Sequence, residues 1–136
     1  TYYVQAGAWA PQATLAGLAV GVCINLLLTI NNFRDRDQDR LSGKKTLIAR
    51  FGAEFGLRYY LAQGGFACAF ALCLIPHGLF WAGLLPLLFL VPHYRVWSRI
   101  VSIYEGRELN RCLGLTSRNI LIFSLLLAAG ILLDTF

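Results

Sequence analysis

The sequence predicts an all-α fold: a multi-pass membrane helix bundle of about four transmembrane helices, with short amphipathic helices at the interface. Three observations carry this reading. Hydrophobic residues make up 57% of the chain and charged residues only 14%, whereas a soluble domain carries roughly a quarter charged residues. That apolar excess is more than one small core buries, so lipid is the economical solvent. The apolar residues are also gathered into stretches close to the length of a bilayer span, with Gly, Pro and charge between them. Finally, all twelve Lys and Arg lie between Arg34 and Arg58 or between Arg95 and Arg118, the kind of clustering that sets the orientation of membrane helices.

The segment from Thr1 to Ala10 mixes Tyr, Gln and Trp with small residues. It reads as the end of a membrane segment, followed by a turn at Trp9-Ala10-Pro11 in the interface that Tyr and Trp favour. The first full span is Ala13 to Ile30, which contains no charge. Ala13, Gly17 and Gly21 fall on one stripe at the small-xxx-small spacing that lets membrane helices approach closely. Asn25, in the middle of the span, is read as an interhelical hydrogen bond in preference to a substrate contact. From Lys44 to Gly56, Leu47, Ile48, Phe51 and Phe55 fall near helical spacing, with Gly52 and Gly56 as stop signals, which fits a short amphipathic helix at the membrane surface.

The second span runs from Arg58 to Ile75, with Gly64-Gly65 for close packing and a tight turn at Pro76-His77-Gly78. The third runs from Leu79 to His93, interrupted by Pro86 and closed by Pro92, which leaves His77 and His93 interfacial. Val96, Trp97, Ile100, Val101 and Tyr104 then repeat at helical spacing among polar residues, as an amphipathic helix continuing the third span out of the bilayer. The last span is Asn119 to Leu133, with a start nearer Leu113 also compatible. Cys23, Cys68 and Cys73 lie in apolar runs, Cys112 stands alone, and no pair has zinc-ligand spacing, so neither disulfides nor a thiolate metal site is expected. With four spans, both basic regions fall on one side of the membrane, and the positive-inside rule makes that side the cytoplasm. The net charge of +5 is accounted for by this asymmetry, and no nucleic-acid partner is needed.

The chemistry is concentrated directly after the first span, in Asn31-Asn32-Phe33-Arg34-Asp35-Arg36-Asp37-Gln38-Asp39-Arg40, running on into Gly43-Lys44-Lys45-Thr46-Leu47. On a helix, Asp35 and Asp39 share a face and Asp37 points roughly the opposite way. Two carboxylates on one face repel unless a cation lies between them, and magnesium with a phosphate ligand is a usual solution. The nearby basic residues are suited to phosphate oxygens that the metal leaves free. The composition is equally compatible with a solvated loop salt-bridged to itself.

The pattern Asn-Asn-x-Arg-Asp-x-x-x-Asp-Arg, then Gly-Lys-x-Thr-Leu, resembles the second aspartate-rich motif of the UbiA superfamily of intramembrane prenyltransferases. It is most similar to the branch that prenylates 1,4-dihydroxy-2-naphthoate in menaquinone synthesis. The resemblance continues through Ala49-Arg50-Phe51-Gly52 and Arg58-Tyr59-Tyr60, and more weakly through Tyr2-Tyr3-Val4-Gln5 and Leu109 to Leu133. It implies a magnesium-dependent enzyme of the bacterial inner (plasma) membrane, with its active site facing the cytoplasm. Such an enzyme transfers a polyprenyl group from an allylic prenyl diphosphate to the aromatic naphthoate, with loss of carbon dioxide and diphosphate. By the same resemblance, Asp35 and Asp39 are catalytic and hold Mg2+, while Asn31, Asn32, Arg34, Arg40 and Lys44 bind the diphosphate. Asp37 is an additional, solvated acid.

Nothing in residues 1–136 resembles the first aspartate-rich motif of that superfamily. The chain is therefore expected to be the C-terminal half of the prenyltransferase domain, partnered by the N-terminal half and inactive alone. The alternative from another class is half of a multi-pass carrier or a lipid-binding module. A carrier site is expected near the bilayer midplane, whereas here the charge lies at one face.

Overall fold

The computed structural model describes residues 2–136, and all the regular structure in them is helical. The helices are α1 (Tyr2–Ala6), α2 (Pro11–Arg34), α3 (Arg36–Leu41), α4 (Leu47–Phe51), α5 (Ala53–Leu72), α6 (Phe80–Leu84), α7 (Leu90–Ile103) and α8 (Leu109–Thr135). Two 3-10 segments, Ile75–His77 and Leu85–Phe89, complete the order. Three stretches are long and apolar enough to cross a membrane: α2, Ala53–His77 and α8. The remaining expected span is composite. Pro86 removes a backbone donor, and α6 passes into α7 through the 3-10 turn that contains it.

The boundaries differ from those expected at several glycines and prolines. Gly52 does end α4, with φ 94°, but α5 begins at Ala53, ahead of Arg58, and Gly56 lies inside it. Gly56 is needed for close approach: a Cβ there would stand 2.9 Å from Phe33 Cδ2 and 3.1 Å from Ile48 Cδ1. Pro92 does not close the third span. It sits in the first turn of α7, the position where a missing N–H costs least. Since the helix continues, His93 shares the inward face with Val96 and Ile100 and is buried, not interfacial. α8 likewise starts at Leu109, a full turn before the earliest start expected for the last span.

The core is a layer of Ala19, Cys23, Leu26, Ile30 and Phe33 from α2 against Tyr60, Ala67, Cys68 and Ala71 from α5, closed by Phe89, Phe123 and Leu127. Polar side chains cross it in pairs. The Thr29 hydroxyl donates to Gln63 Oε1 at 2.7 Å, and the Tyr60 and Thr116 hydroxyls are 2.8 Å apart. Asn25 Nδ2 donates to the Tyr59 hydroxyl at 3.4 Å, so the Asn25 contact is interhelical. The stripe of Gly17 and Gly21 behaves differently: a Cβ at either would meet nothing within 4 Å, and that face of α2 is open.

Two sets of contacts fix the ends of the bundle. The Asp134 carboxylate, near the end of α8, accepts from the backbone N–H groups of Trp81 (3.0 Å) and Ala82 (2.9 Å), capping α6. At the opposite end, Arg34 reaches Asn110 and Arg36 reaches Tyr104. Both basic regions therefore lie at one end of the bundle, as the four-segment antiparallel reading requires.

Candidate functional site

The aspartate motif forms a helix with a step in it. α2 ends at Arg34, Asp35 takes φ −93° and ψ 7°, and α3 resumes at Arg36. The i→i+4 backbone bonds survive the step: the Asp35 N–H donates to Asn31 O at 3.0 Å and the Asp39 N–H to Asp35 O at 2.9 Å. Asp35 and Asp39 thus remain one helical turn apart, and Asp37 projects into solvent with a side chain 69% exposed.

The two carboxylates are not equivalent. Arg34 grips Asp35 with two bonds, Nε to Oδ1 at 2.7 Å and Nη2 to Oδ2 at 2.8 Å. That guanidinium holds the Asp35 carboxyl below the usual carboxylate range; partial desolvation opposes it, and Lys44 adds to the lowering. Asp39 is buried. Its Oδ1 accepts from Lys44 Nζ at 3.2 Å, and its Oδ2 has no partner at all. A buried carboxylate oxygen without a donor is costly.

The other expected diphosphate ligands divide into anchored and open ones. Arg34 also donates to Asn31 Oδ1 at 2.8 Å and Asn110 Oδ1 at 2.7 Å, so four of its five N–H groups are engaged. Arg40 Nε donates to Ala49 O at 2.8 Å, tying α3 to α4. Lys44 is exposed, and Asn31 and Asn32 are half-buried at the end of α2. Arg40 and Lys44 line an open hollow of about 480 Å³ together with Lys45 and Arg50. Asn31 lines a second hollow of about 540 Å³, with Gly21, Ile24, Asn25 and Leu28 of α2 and Leu113 of α8. A cationic hollow thus adjoins Lys44, and an apolar groove reaches the motif along α2.

Sequence reading missed the residues that hold the motif in place. Arg36 is buried, donates to Phe33 O (2.9 Å) and Tyr104 O (3.1 Å), and lies over the Phe33 and Tyr104 rings at 4.7 and 5.0 Å. It pins α3 to the turn between α7 and α8, where Tyr104 adopts φ 60°. Asn110 does the same for Arg34. Neither has a local signal, because each partner is distant in the chain. Lys45 and Arg50 fall within stretches that resemble the family, but neither is singled out there as a site residue.

The donor set partly fits a divalent cation. The orphaned Asp39 Oδ2 is what a cation would satisfy, and Asp35 retains lone pairs beyond those that Arg34 uses. Among the described residues, however, no group of three or more His, Cys, Asp or Glu could surround an ion. These residues alone could offer a cation ligands from one side only.

The aspartate stretch lies inside the region that known proteins match. The model of the UbiA prenyltransferase family matches residues 1–113. The chain belongs to that family. Curated relatives include a 1,4-dihydroxy-2-naphthoate octaprenyltransferase of Escherichia coli, 33% identical over 138 residues that take in 98% of this chain and 44% of that protein. A protein of the same description from Haemophilus influenzae is 38% identical over 60 residues, 44% of this chain and 20% of its own length. This UbiA-family chain therefore spans less than half the length of these relatives. No solved structure matches it.

Proposed function

We propose that residues 1–136 form the C-terminal half of a prenyltransferase that moves a polyprenyl group from an allylic diphosphate to 1,4-dihydroxy-2-naphthoate. In that reaction the bond from the prenyl carbon to the diphosphate oxygen breaks. A bond forms to the ring carbon that carries the carboxylate, and the carboxylate leaves as carbon dioxide with its electron pair returned to the ring. The observation that carries the reading is the buried, unpartnered Oδ2 of Asp39 beside Lys44, inside the residues that the UbiA family model matches.

In this reading Asp39 and Asp35 hold Mg2+, which supplies neutralisation of the charge that develops on the departing diphosphate. The protein's own residues do the rest. Lys44 and Arg40, on the rim of the cationic hollow, bind diphosphate oxygens. Arg34 orients the Asp35 carboxylate and fixes Asn31, and Asn31 and Asn32 hold the end of the diphosphate nearest the membrane. The apolar groove of Ile24 and Leu28 accommodates isoprene units, keeping water from the reacting carbon. The N-terminal half docks on the open face of α2 around Gly17 and closes over that groove, bringing the other aspartate-rich motif opposite this one. By the positive-inside rule the site faces the cytoplasm of a bacterial inner membrane.

The test is an assay of the full-length protein in membranes, with a prenyl diphosphate and Mg2+, offering 1,4-dihydroxy-2-naphthoate and 4-hydroxybenzoate in parallel. Prenylated, decarboxylated naphthoate is expected, and its formation should stop with EDTA. Product from the benzoate alone would move the chain to another branch of the family, and no magnesium dependence would remove the role given to Asp35 and Asp39.

A further inference from the structure

A second cationic feature lies on the opposite flank of α8 from the aspartate motif. Arg95 and Arg99 of α7 and Arg111 and Arg118 of α8 line one groove of about 340 Å³, floored by Val96 and Leu115. All four arginines are exposed. Among the described residues none of the four makes an ion pair or donates a side-chain hydrogen bond. Glu108 lines the adjoining hollow with Arg99 and Arg111 yet makes no ion pair with either. The groove is separate from the motif because α8 turns a different face to each: Leu113 lines the groove along α2, whereas Arg111, Leu115 and Arg118 face α7.

The placement of the arginines narrows what they bind. Arg95 and Arg99 are about 6 Å apart along α7, and Arg111 and Arg118 about 10 Å apart along α8, from 1.5 Å per residue. The cations therefore descend from the charged end of the bundle toward the apolar part of α8, over a floor of hydrocarbon side chains. Four guanidiniums lining one groove repel one another unless an anion lies among them, and their planar donors match phosphate oxygens. A free inorganic anion would leave the apolar floor unused. A ligand with a phosphate at one end and hydrocarbon at the other uses both, and basic pockets between membrane helices commonly take such headgroups.

We infer that the α7–α8 groove is a binding site for an anionic phospholipid of the leaflet at the charged end of the bundle. Its phosphate lies among Arg95, Arg99, Arg111 and Arg118, and its acyl chain runs over Val96 and Leu115. The inference does not depend on the prenyltransferase reading.

The experiment is native mass spectrometry of the full-length protein, delipidated in detergent and titrated with phosphatidylglycerol, with phosphatidylcholine, or with inorganic phosphate. Phosphatidylglycerol should be retained at least tenfold more tightly than phosphatidylcholine, and inorganic phosphate should not displace it at equal concentration. About 1 kcal/mol per basic residue near a membrane surface corresponds to roughly fivefold. The Arg99→Gln/Arg111→Gln double variant should therefore lose about twenty-five-fold in phosphatidylglycerol affinity, whereas Arg107→Gln, outside the groove, should lose little. Should the double variant fold poorly, retention by the unaltered protein must still fall as salt is raised, since the contact is electrostatic. Equal retention of the two lipids, an equal loss in Arg107→Gln, or displacement by phosphate alone would overturn the proposal.

Discussion

At the scale of single residues, the three aspartates of the motif have distinct surroundings and should have distinct roles. Asp39 is buried with one oxygen unpartnered, whereas Asp37 is exposed, with Arg36 and Arg40 no nearer than 3.9 Å. Asp39→Asn should lower magnesium-supported turnover of the full-length enzyme on the order of a hundredfold or more, through lost stabilisation of the leaving group. Asp37→Asn should change it little, within the small range of exposed ion pairs. Rates against magnesium concentration, at matched expression, decide this; equal damage from both changes would mean that burial does not distinguish them. Asp35 makes a different prediction, about pH. Its carboxyl is held below the ordinary 3.8 by Arg34, so its contribution to stability is present above that value and lost as pH falls through the depressed one. The melting temperature of Asp35→Asn should lie below that of the unaltered protein at pH 6, and the gap should close below pH 3.8. A gap that persisted unchanged at pH 3 would mean that the charge on Asp35 contributes nothing.

At the scale of elements, hydropathy and charge made α2, α5 and α8 legible, and Pro86 marked the break between α6 and α7. What was not legible is whether a glycine or proline ends a helix or serves its packing, because that depends on a neighbour distant in sequence. Gly64 and Gly65 show the difference. A Cβ on Gly64 would overlap the His93 ring, whereas one on Gly65 would meet nothing within 4 Å. The His93 ring has no room to retreat, being stacked on Tyr60 at 5.0 Å and on Phe89 at 5.1 Å. Gly64→Ala should therefore destabilise the bundle by about 1–3 kcal/mol, the range for overpacking. Gly65→Ala should be neutral or slightly stabilising, since Ala is the better helix former by up to about 1 kcal/mol. Thermal melting of the two variants in one detergent measures the contrast, and equal melting temperatures would mean that α5 and α7 do not approach as closely as they do here. The site was divided in the same way. Local spacing singled out the shared face of Asp35 and Asp39, and only the resemblance pointed to Lys44 and the asparagines; the anchoring by Arg36 and Asn110 was not legible, because it depends on Tyr104 and Arg34, 68 and 76 residues away.

At the scale of the whole molecule, the outcome turns on parity. From α3 to the end of α8 the chain passes through α5, then the run of α6 and α7, then α8. Two of those passages are long, apolar helices; the middle one is broken by Pro86 and carries Arg95 and Arg99. If it crosses, α3 and the end of α8 lie on opposite sides of the membrane, and if it only rests at one surface they lie on the same side. The contacts favour crossing. The start of α6 is held by Asp134 at the end of α8, and the turn after α7 is held by Arg36 at the far end of the bundle. One interrupted segment thus touches both ends of its neighbours, which a surface-lying helix does not do. The expected result is that Ser42→Cys and Thr135→Cys, each in a full-length background without Cys23, Cys68, Cys73 and Cys112, label with a membrane-impermeant thiol reagent from opposite faces. Both positions are exposed, so access is set by the membrane and not by packing. Ser42, beside the aspartate motif, should react from the cytoplasmic face if the positive-inside rule governs this chain. Labelling of both from the same face would mean that α6 and α7 do not span, and would separate the two basic regions that the bundle brings to one end.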